Sequence, residues 1–345
     1  MNWGVFSLIT PSHPGKGGII MDSFGRHINY MRISVTDRCN LRCRYCMPED
    51  GVQDLGHGKI LSLEDIARLT RIGAQIGIRK VRLTGGEPLV RKNITGLIQC
   101  IADIPEIDDI ALTTNGILFP AMAEDLKAAG LKRVNISMDT LQEERFLYIT
   151  RRGGLNLVWE AVFKALELDM HPVKINVVVI RGFNDDEIGD FVRLAYIYPL
   201  HIRFIEYMPV GDLQFWDPDR MVSSAEILNK LQADYELTPE KIVAGNGPAR
   251  YYHIAGGAGS IGFISPMSHQ FCSECNRIRL TADGKLRGCL YAKQEVDLKA
   301  ALEQGASDEE LQELFFAAIK AKPAHHDMGS GWGEQNFRKM YQIGG

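Results

Sequence analysis

The feature that most constrains this chain is a repeated alternation of two periodicities. Six short runs rich in β-branched and aromatic residues recur between residues 30 and 208: YMRISV (30–35), KVRLT (80–84), DIALTT (109–114), RVNISM (133–138), VKINVVVI (173–180) and IRFIEYM (202–208). The segments between them carry apolar residues at i, i+3, i+4 and i+7, the helical period. In SLEDIARLTRIGAQIGI, Ser62 and Asp65 read as a capping-box start, and Ile66, Leu69, Ile72 and Ile76 fall on one face. PAMAEDLKAAG opens at Pro120 and closes at Gly130, the usual asymmetry of helix ends. Strands alternating with helices predict an α/β fold with a parallel sheet. Eight such units would close a full barrel; six leave an incomplete barrel or a doubly wound sheet. In both, ligands bind at the carboxyl ends of the strands. Those ends read Thr84-Gly85-Gly86-Glu87, Thr113-Thr114-Asn115-Gly116, Ser137-Met138-Asp139 and Glu206-Tyr207-Met208, which is polar, small or sulfur-bearing material after apolar runs.

After about residue 210 the rhythm changes. FWDPDR, AGNGPAR and AGGAGSIG are turn-rich, with short strands in RYYHI and in NRIRLTADGKLRGCL, where Asp283-Gly284 reads as a hairpin turn. Helical patterns return at 297–303 and 308–320. The organisation expected is a flexible leader over 1–21, a strand–helix unit over 22–209 and an extension over 210–345. The leader lacks the order of a signal peptide, since Lys16 follows its apolar run, and it carries no arginine as a transit peptide would. No run reaches the roughly 18 apolar residues that span a bilayer. A cytoplasmic protein with no membrane association is therefore expected. A net charge of −4 gives no sign of a general nucleic-acid binder, so any polyanion site must be a local cluster of cations.

Seven cysteines, an odd number, argue against a disulfide framework. Cys39, Cys43 and Cys46 stand at a C-x3-C-x2-C spacing. Cys272 and Cys275 form a C-x2-C, with Cys289 after thirteen intervening residues. Cys100, within ITGLIQCIADI, reads as a small buried hydrophobe. For the first triplet, a structural zinc site would need a fourth ligand at short range, and neither His27 nor His57 has a knuckle spacing. A redox C-x2-C pair would leave Cys39 unexplained. Three thiolates on a four-iron cluster leave one iron open for another ligand. For the second triplet the same reading competes with a zinc knuckle completed by His269.

These residues carry a resemblance. C-x3-C-x2-C with Tyr45 before the last cysteine resembles the signature of radical S-adenosylmethionine enzymes, and TGGEPLVR (84–91) resembles the same superfamily's GGEP motif. The second triplet, Arg277 and Arg279 beside it, and the terminal IGG (343–345) resemble one family in particular, the GTP 3′,8-cyclases of molybdenum cofactor biosynthesis. The resemblance runs from about Gly25 to Gly345. It implies an incomplete (β/α)6 TIM-like barrel with a C-terminal α+β extension carrying a second cluster. It implies two 4Fe-4S clusters, one on Cys39, Cys43 and Cys46 and one on Cys272, Cys275 and Cys289. S-adenosylmethionine would meet Tyr45, Gly86, Ser137 and Met208, the glycines letting backbone approach it closely. GTP would meet Arg32, Arg82, Thr113, Lys174, Arg277, Ile278 and Arg279. Arg277, Arg279 and the tail glycines Gly344 and Gly345 would serve catalysis.

The reaction so implied is a lyase-type cyclisation. The adenosyl radical removes the ribose 3′ hydrogen and the carbon radical attacks guanine C8. A low-potential electron donor and a downstream cyclic pyranopterin phosphate synthase would be its partners, and a homodimer is compatible with the sequence. From the residues alone, Arg32, Arg82 and Lys174 interrupt apolar strands, where a cation needs a partner or a solvated face. Arg277 and Arg279 alternate, so both face one side of their strand. Two other classes compete: another auxiliary-cluster radical enzyme such as a peptide maturase, and a non-catalytic metal-binding scaffold. Iron content and turnover with GTP separate the three.

Overall fold

The computed structural model describes residues 20–52, 57–210, 215–240, 247–326, 328 and 338–344. Each of the six runs is a strand: β1 (Tyr30–Ser34), β2 (Lys80–Thr84), β3 (Asp109–Thr114), β4 (Arg133–Ser137), β5 (Val173–Val179) and β6 (Leu200–Glu206). They pair in sequence order and in parallel. Between them run α1 (Leu63–Gln75), α2 (Ile94–Ala102), α3 (Phe119–Ala128), α4 (Glu143–Thr150), α5 (Leu155–Glu167) and α6 (Ile188–Ile197). This is the incomplete barrel. Ser62 caps α1 by accepting from the Asp65 amide, but its hydroxyl donates to the Asp65 carboxylate, so the reciprocal half of the capping box is replaced by a side-chain bond. Cys100 is exposed, contrary to expectation: Ile94, Leu97, Ile98 and Ile101 take the buried face of α2 and leave position 100 outside.

The extension contributes α7 (Ser224–Leu231), β7 (Leu237–Glu240), β8 (Arg250–Ile254), β9 (Ser260–Ile264), β10 (Arg277–Leu280), β11 (Lys285–Arg287), β12 (Val296–Asp297), α8 (Leu298–Glu303), α9 (Asp308–Lys320) and α10 (Met340–Ile343). Its strands continue the barrel sheet at both edges. β9 adds in parallel to β6, and β10 adds in parallel to β1, giving among the described residues a 12-stranded order β12-β11-β10-β1-β2-β3-β4-β5-β6-β9-β8-β7. The Asp283-Gly284 turn closes the antiparallel β10–β11 hairpin with Gly284 at φ +81°. The leader falls almost wholly outside the described residues. Its last two residues are placed: Ile20 is buried and Met21 bridges His27. No described helix is long and apolar enough to cross a membrane.

Strand parity divides the sheet into two chemistries. Met31, Ile33, Val81, Leu83, Ile110, Leu112, Val134, Ile136, Val173 and Ile175 alternate onto the face covered by the helices and are buried in one hydrophobic core. The other face, lining the lumen, carries Tyr30, Arg32, Arg82, Thr113, Asn176 and Arg203. An ordinary barrel fills its interior with branched apolar side chains. Here the same period of two puts cations and amides there instead, leaving a lumen fit for a polar ligand.

Candidate active site

The pairing register sets the charges. Arg279 lies beside Arg32 across β10–β1, and Arg32 beside Arg82 across β1–β2, so three guanidiniums form one row across three strands. Arg277, two residues before Arg279, pairs with Tyr30 on the same face. Arg203 on β6 pairs with Asn176 on β5. Burial holds the Arg32 guanidinium well below its usual range, and Arg279 and Arg82 push it further down. Arg279 falls to about 10 through burial and then Arg277. Arg82 falls to about 10 through burial, with Arg203 and Arg133 adding. The Nε atoms of Arg82 and Arg203 are buried with no hydrogen-bond partner. A crowd of buried like charges is costly unless anions are supplied. Arg133, whose charge also acts on Arg82, is answered by Asp109 with a salt bridge.

Both cysteine triplets open onto this same lumen, a cavity of roughly 320 Å³ lined also by Gly86, Thr113, Ser137 and Met208. The first triplet follows β1 in the loop that crosses the strand ends. Burial lifts Cys39 to about 11, with Glu87 adding, and Cys46 to about 12, with Cys39 adding; burial also raises Cys43 well above the usual thiol range, with Cys46 and Cys39 adding. Thiolates so placed repel one another unless a cationic centre joins them. All six are free cysteines. Among the described residues no three His, Cys, Asp or Glu side chains converge on a point that could hold a single ion. A zinc ion needs its sulfurs at about 2.3 Å, a convergence that the described residues do not offer. His269, the expected fourth ligand of a zinc knuckle, is exposed and does not line the cavity. At the second triplet, burial would raise Cys275, but Arg277 and Lys322 outweigh it and bring the thiol to about 6.

Gly85 and Gly86 have a structural reason besides the one expected. A Cβ on Gly85 would lie 2.5 Å from the Thr36 carbonyl, and one on Gly86 would lie 2.3 Å from the Arg38 carbonyl. Their amide neighbours complete the join: Gly86 N–H donates to Thr36 and Glu87 N–H to Arg38. The glycines let the strand end pack against the start of the cysteine loop, while Gly86 still faces the lumen. Glu87 is fully buried and accepts from Thr114 and from the Asn115 and Leu89 amides; burial lifts its carboxyl to about 7. Asp139 accepts from the Tyr45 hydroxyl at 2.6 Å and from the Val178 amide, which fixes the ring beside Cys46.

Other expected positions are less direct. Lys174 is buried on β5, over the Tyr251 ring at 5.5 Å and beside Arg203, one layer below the lining residues. The Ile278 side chain is in the core on the opposite face from Arg277 and Arg279, which leaves only its main chain for a ligand. Gly344 accepts a 2.6 Å hydrogen bond from Arg279, and the Tyr341 amide faces the Cys46 sulfur, so the tail touches both triplets' surroundings. Gly345 lies outside the described residues. Arg203, Asn176 and Lys322 went unnoticed in the sequence. For the first two the signal was present: LHIRFIE and VKINVVV place a polar residue at the same alternating positions as YMRIS and KVRLT. For Lys322 no local pattern marks it.

A parallel partial barrel with a C-x3-C-x2-C loop across its strand ends is the arrangement of the radical S-adenosylmethionine class, and the "Radical SAM superfamily" profile matches residues 33–195. "Molybdenum Cofactor Synthesis C" matches residues 200–328. The GTP 3′,8-cyclase of Syntrophomonas wolfei is 68% identical over 326 residues, covering 94% of this chain and 100% of that relative. The one of Moorella thermoacetica is 55% identical over 326 residues with the same coverage. Among solved structures, Streptococcus suis SuiB bound to S-adenosylmethionine superposes with a TM-score of 0.57 at 14% identity, covering 85% of this chain and 68% of that one, a likeness of fold alone. This chain belongs to the GTP 3′,8-cyclase family.

Proposed function

We propose that this chain converts GTP to (8S)-3′,8-cyclo-7,8-dihydroguanosine 5′-triphosphate, the first step of molybdenum cofactor biosynthesis. The observation that carries the reading is the row Arg279–Arg32–Arg82 with Arg203, buried in the lumen onto which both cysteine triplets open. A triphosphate brings several negative charges to this crowd of cations, and the guanidinium forks suit its oxygens. The protein takes S-adenosylmethionine and an iron–sulfur cluster, which together supply a 5′-deoxyadenosyl radical when bound. A second 4Fe-4S cluster on Cys272, Cys275 and Cys289 completes the reading, as does assignment to the lyases.

The chain's own residues hold and orient. Asp139 fixes Tyr45 against the first triplet, and Gly86, Ser137 and Met208 bound the space for S-adenosylmethionine. Thr113 and the arginine row place the nucleotide, with Lys174 adding charge from beneath. Arg277 and Arg279 hold the base near the second triplet. The tail, fixed by Arg279 at Gly344, excludes water and restricts how the ribose lies. Residues 22–209 would form the S-adenosylmethionine unit and 210–345 the auxiliary unit. We place the protein in the cytoplasm, supplied by a low-potential electron donor and drained by a cyclic pyranopterin phosphate synthase, with a homodimer compatible with this arrangement. The test is anaerobic reconstitution with iron and sulfide. About eight irons per chain and GTP-dependent formation of the cyclised nucleotide support the reading; zinc alone, or cleavage of S-adenosylmethionine with no change in GTP, overturns it.

A further inference from the structure

Lys322 follows α9 and is only 3% exposed, which is rare for a lysine and costly without compensation. Its ammonium has three donors and uses all three. Nζ donates to the Cys275 sulfur at 3.3 Å, to the Arg277 carbonyl at 3.0 Å and to the Gly288 carbonyl at 2.6 Å. Those acceptors belong to two different segments: one carries Cys272 and Cys275, and the other leads into Cys289. A second observation points the same way. A Cβ on Gly288 would lie 3.0 Å from the Lys322 Cα and Cβ, so the glycine before Cys289 leaves the space in which the Lys322 backbone packs. The segment after Lys322 is tied down as well: Arg26 donates to the Cys272 carbonyl and to the carbonyls of Pro323 and Ala324.

We propose that Lys322 is a positioning residue of the distal cysteine set, a fixed cation that joins its two segments and sets the reduction balance of the group they hold. The proposal rests on the reading that Cys272, Cys275 and Cys289 carry an iron–sulfur cluster. Hydrogen bonds to cluster sulfurs and nearby net charge are among the terms that set such a potential. A fixed positive charge favours the more negative, reduced form, so removing it lowers the potential. Because Lys322 also links the cysteine segments, its loss should loosen the metal.

The test uses full-length protein in which Cys39, Cys43 and Cys46 are replaced by alanine, so that only the distal set can be loaded. Lys322, Lys322→Met and Lys322→Arg are compared by iron content, by the rate of iron release to a chelator and by redox titration followed by electron paramagnetic resonance. Lys322→Met should release iron at least tenfold faster. It should also shift the reduction equilibrium at least tenfold toward the oxidised form, about 59 mV for one electron. Lys322→Arg, which keeps the charge, should recover most of the potential. Should Lys322→Met fail to assemble a cluster at all, Lys322→Gln supplies the same comparison with a neutral hydrogen-bond donor. An unchanged potential and release rate in the neutral variants overturns the role of Lys322. An unloaded parent protein that still folds overturns the cluster reading itself, and the proposal with it.

Discussion

Arg279 donates a 2.6 Å hydrogen bond to the carbonyl of Gly344, joining the first strand after the second cysteine pair to the penultimate residue of the chain. Gly344 is at φ +83°, and a Cβ there would lie 2.9 Å from Thr84 Cγ2 and 3.1 Å from Ser34 Cβ. Only glycine fits both the conformation and the space. Forcing an L side chain into left-handed backbone costs about 1–2 kcal/mol before any clash is counted. Gly344→Ala should therefore leave the barrel folded and displace the tail. Cyclised product should fall at least tenfold while iron content and GTP affinity stay near the parent values. Deleting Gly344 and Gly345 should do the same. Loss of iron in either variant would show that the tail supports the fold instead.

The tail has an anchor. Arg338 bonds both oxygens of Asp283 and both of Glu295, and Glu295 also takes Arg287. Cutting one partner from a largely buried ionic cluster is expected to cost roughly 3 kcal/mol. Arg338→Ala should expose the C-terminus to carboxypeptidase and reduce cyclisation, with Arg338→Lys recovering part of both. A tail as resistant to digestion as in the parent protein would contradict this anchoring.

Lys174 gives the pH dependence. Burial, followed by Arg203, Arg133 and Arg82, brings its ammonium down to about 6, so near pH 7 to 9 the nucleotide-free site holds it mostly neutral. A bound triphosphate raises it again, because an anion favours the charged form. Binding then takes up a proton, so affinity should weaken as pH rises through this window, by up to tenfold per pH unit. Calorimetry in buffers of different ionisation enthalpy should show the uptake, and Lys174→Met should lose it, the nucleotide's own titration cancelling in the comparison. Equal proton uptake in both proteins would remove Lys174 from the triphosphate's field.

Replacement of single cysteines should separate the triplets. Cys43→Ala should abolish release of 5′-deoxyadenosine from S-adenosylmethionine, because it removes one of three thiolates that together hold the first group. Cys275→Ser should impair GTP binding or cyclisation while leaving a low, uncoupled release. Normal cyclisation by Cys275→Ser would make the second triplet structural only.

Much of this architecture is written locally. Ile66, Leu69, Ile72 and Ile76 announce α1, and the six strand runs fall within a residue or two of β1–β6 because period-two burial leaves a plain trace. The cysteines are legible because ligand spacing is a short-range property. What was not legible depends on distant partners. Nothing in IRL or IGF says that β10 will join β1 or β9 join β6, yet the first of these pairings places Arg279 beside Arg32. Gly86 reads as room for a ligand, and its second role, leaving space for the Arg38 carbonyl 2.3 Å from where a Cβ would lie, has no local signal. Lys322 meets Cys275 across 47 residues, and no periodicity encodes such a meeting.

The most direct measurement follows one hydrogen atom. GTP deuterated at the ribose 3′ position is incubated anaerobically with the reconstituted protein, S-adenosylmethionine and a low-potential reductant. The account predicts cyclised GTP together with 5′-deoxyadenosine carrying one deuterium. Unlabelled 5′-deoxyadenosine with GTP left unchanged would contradict it.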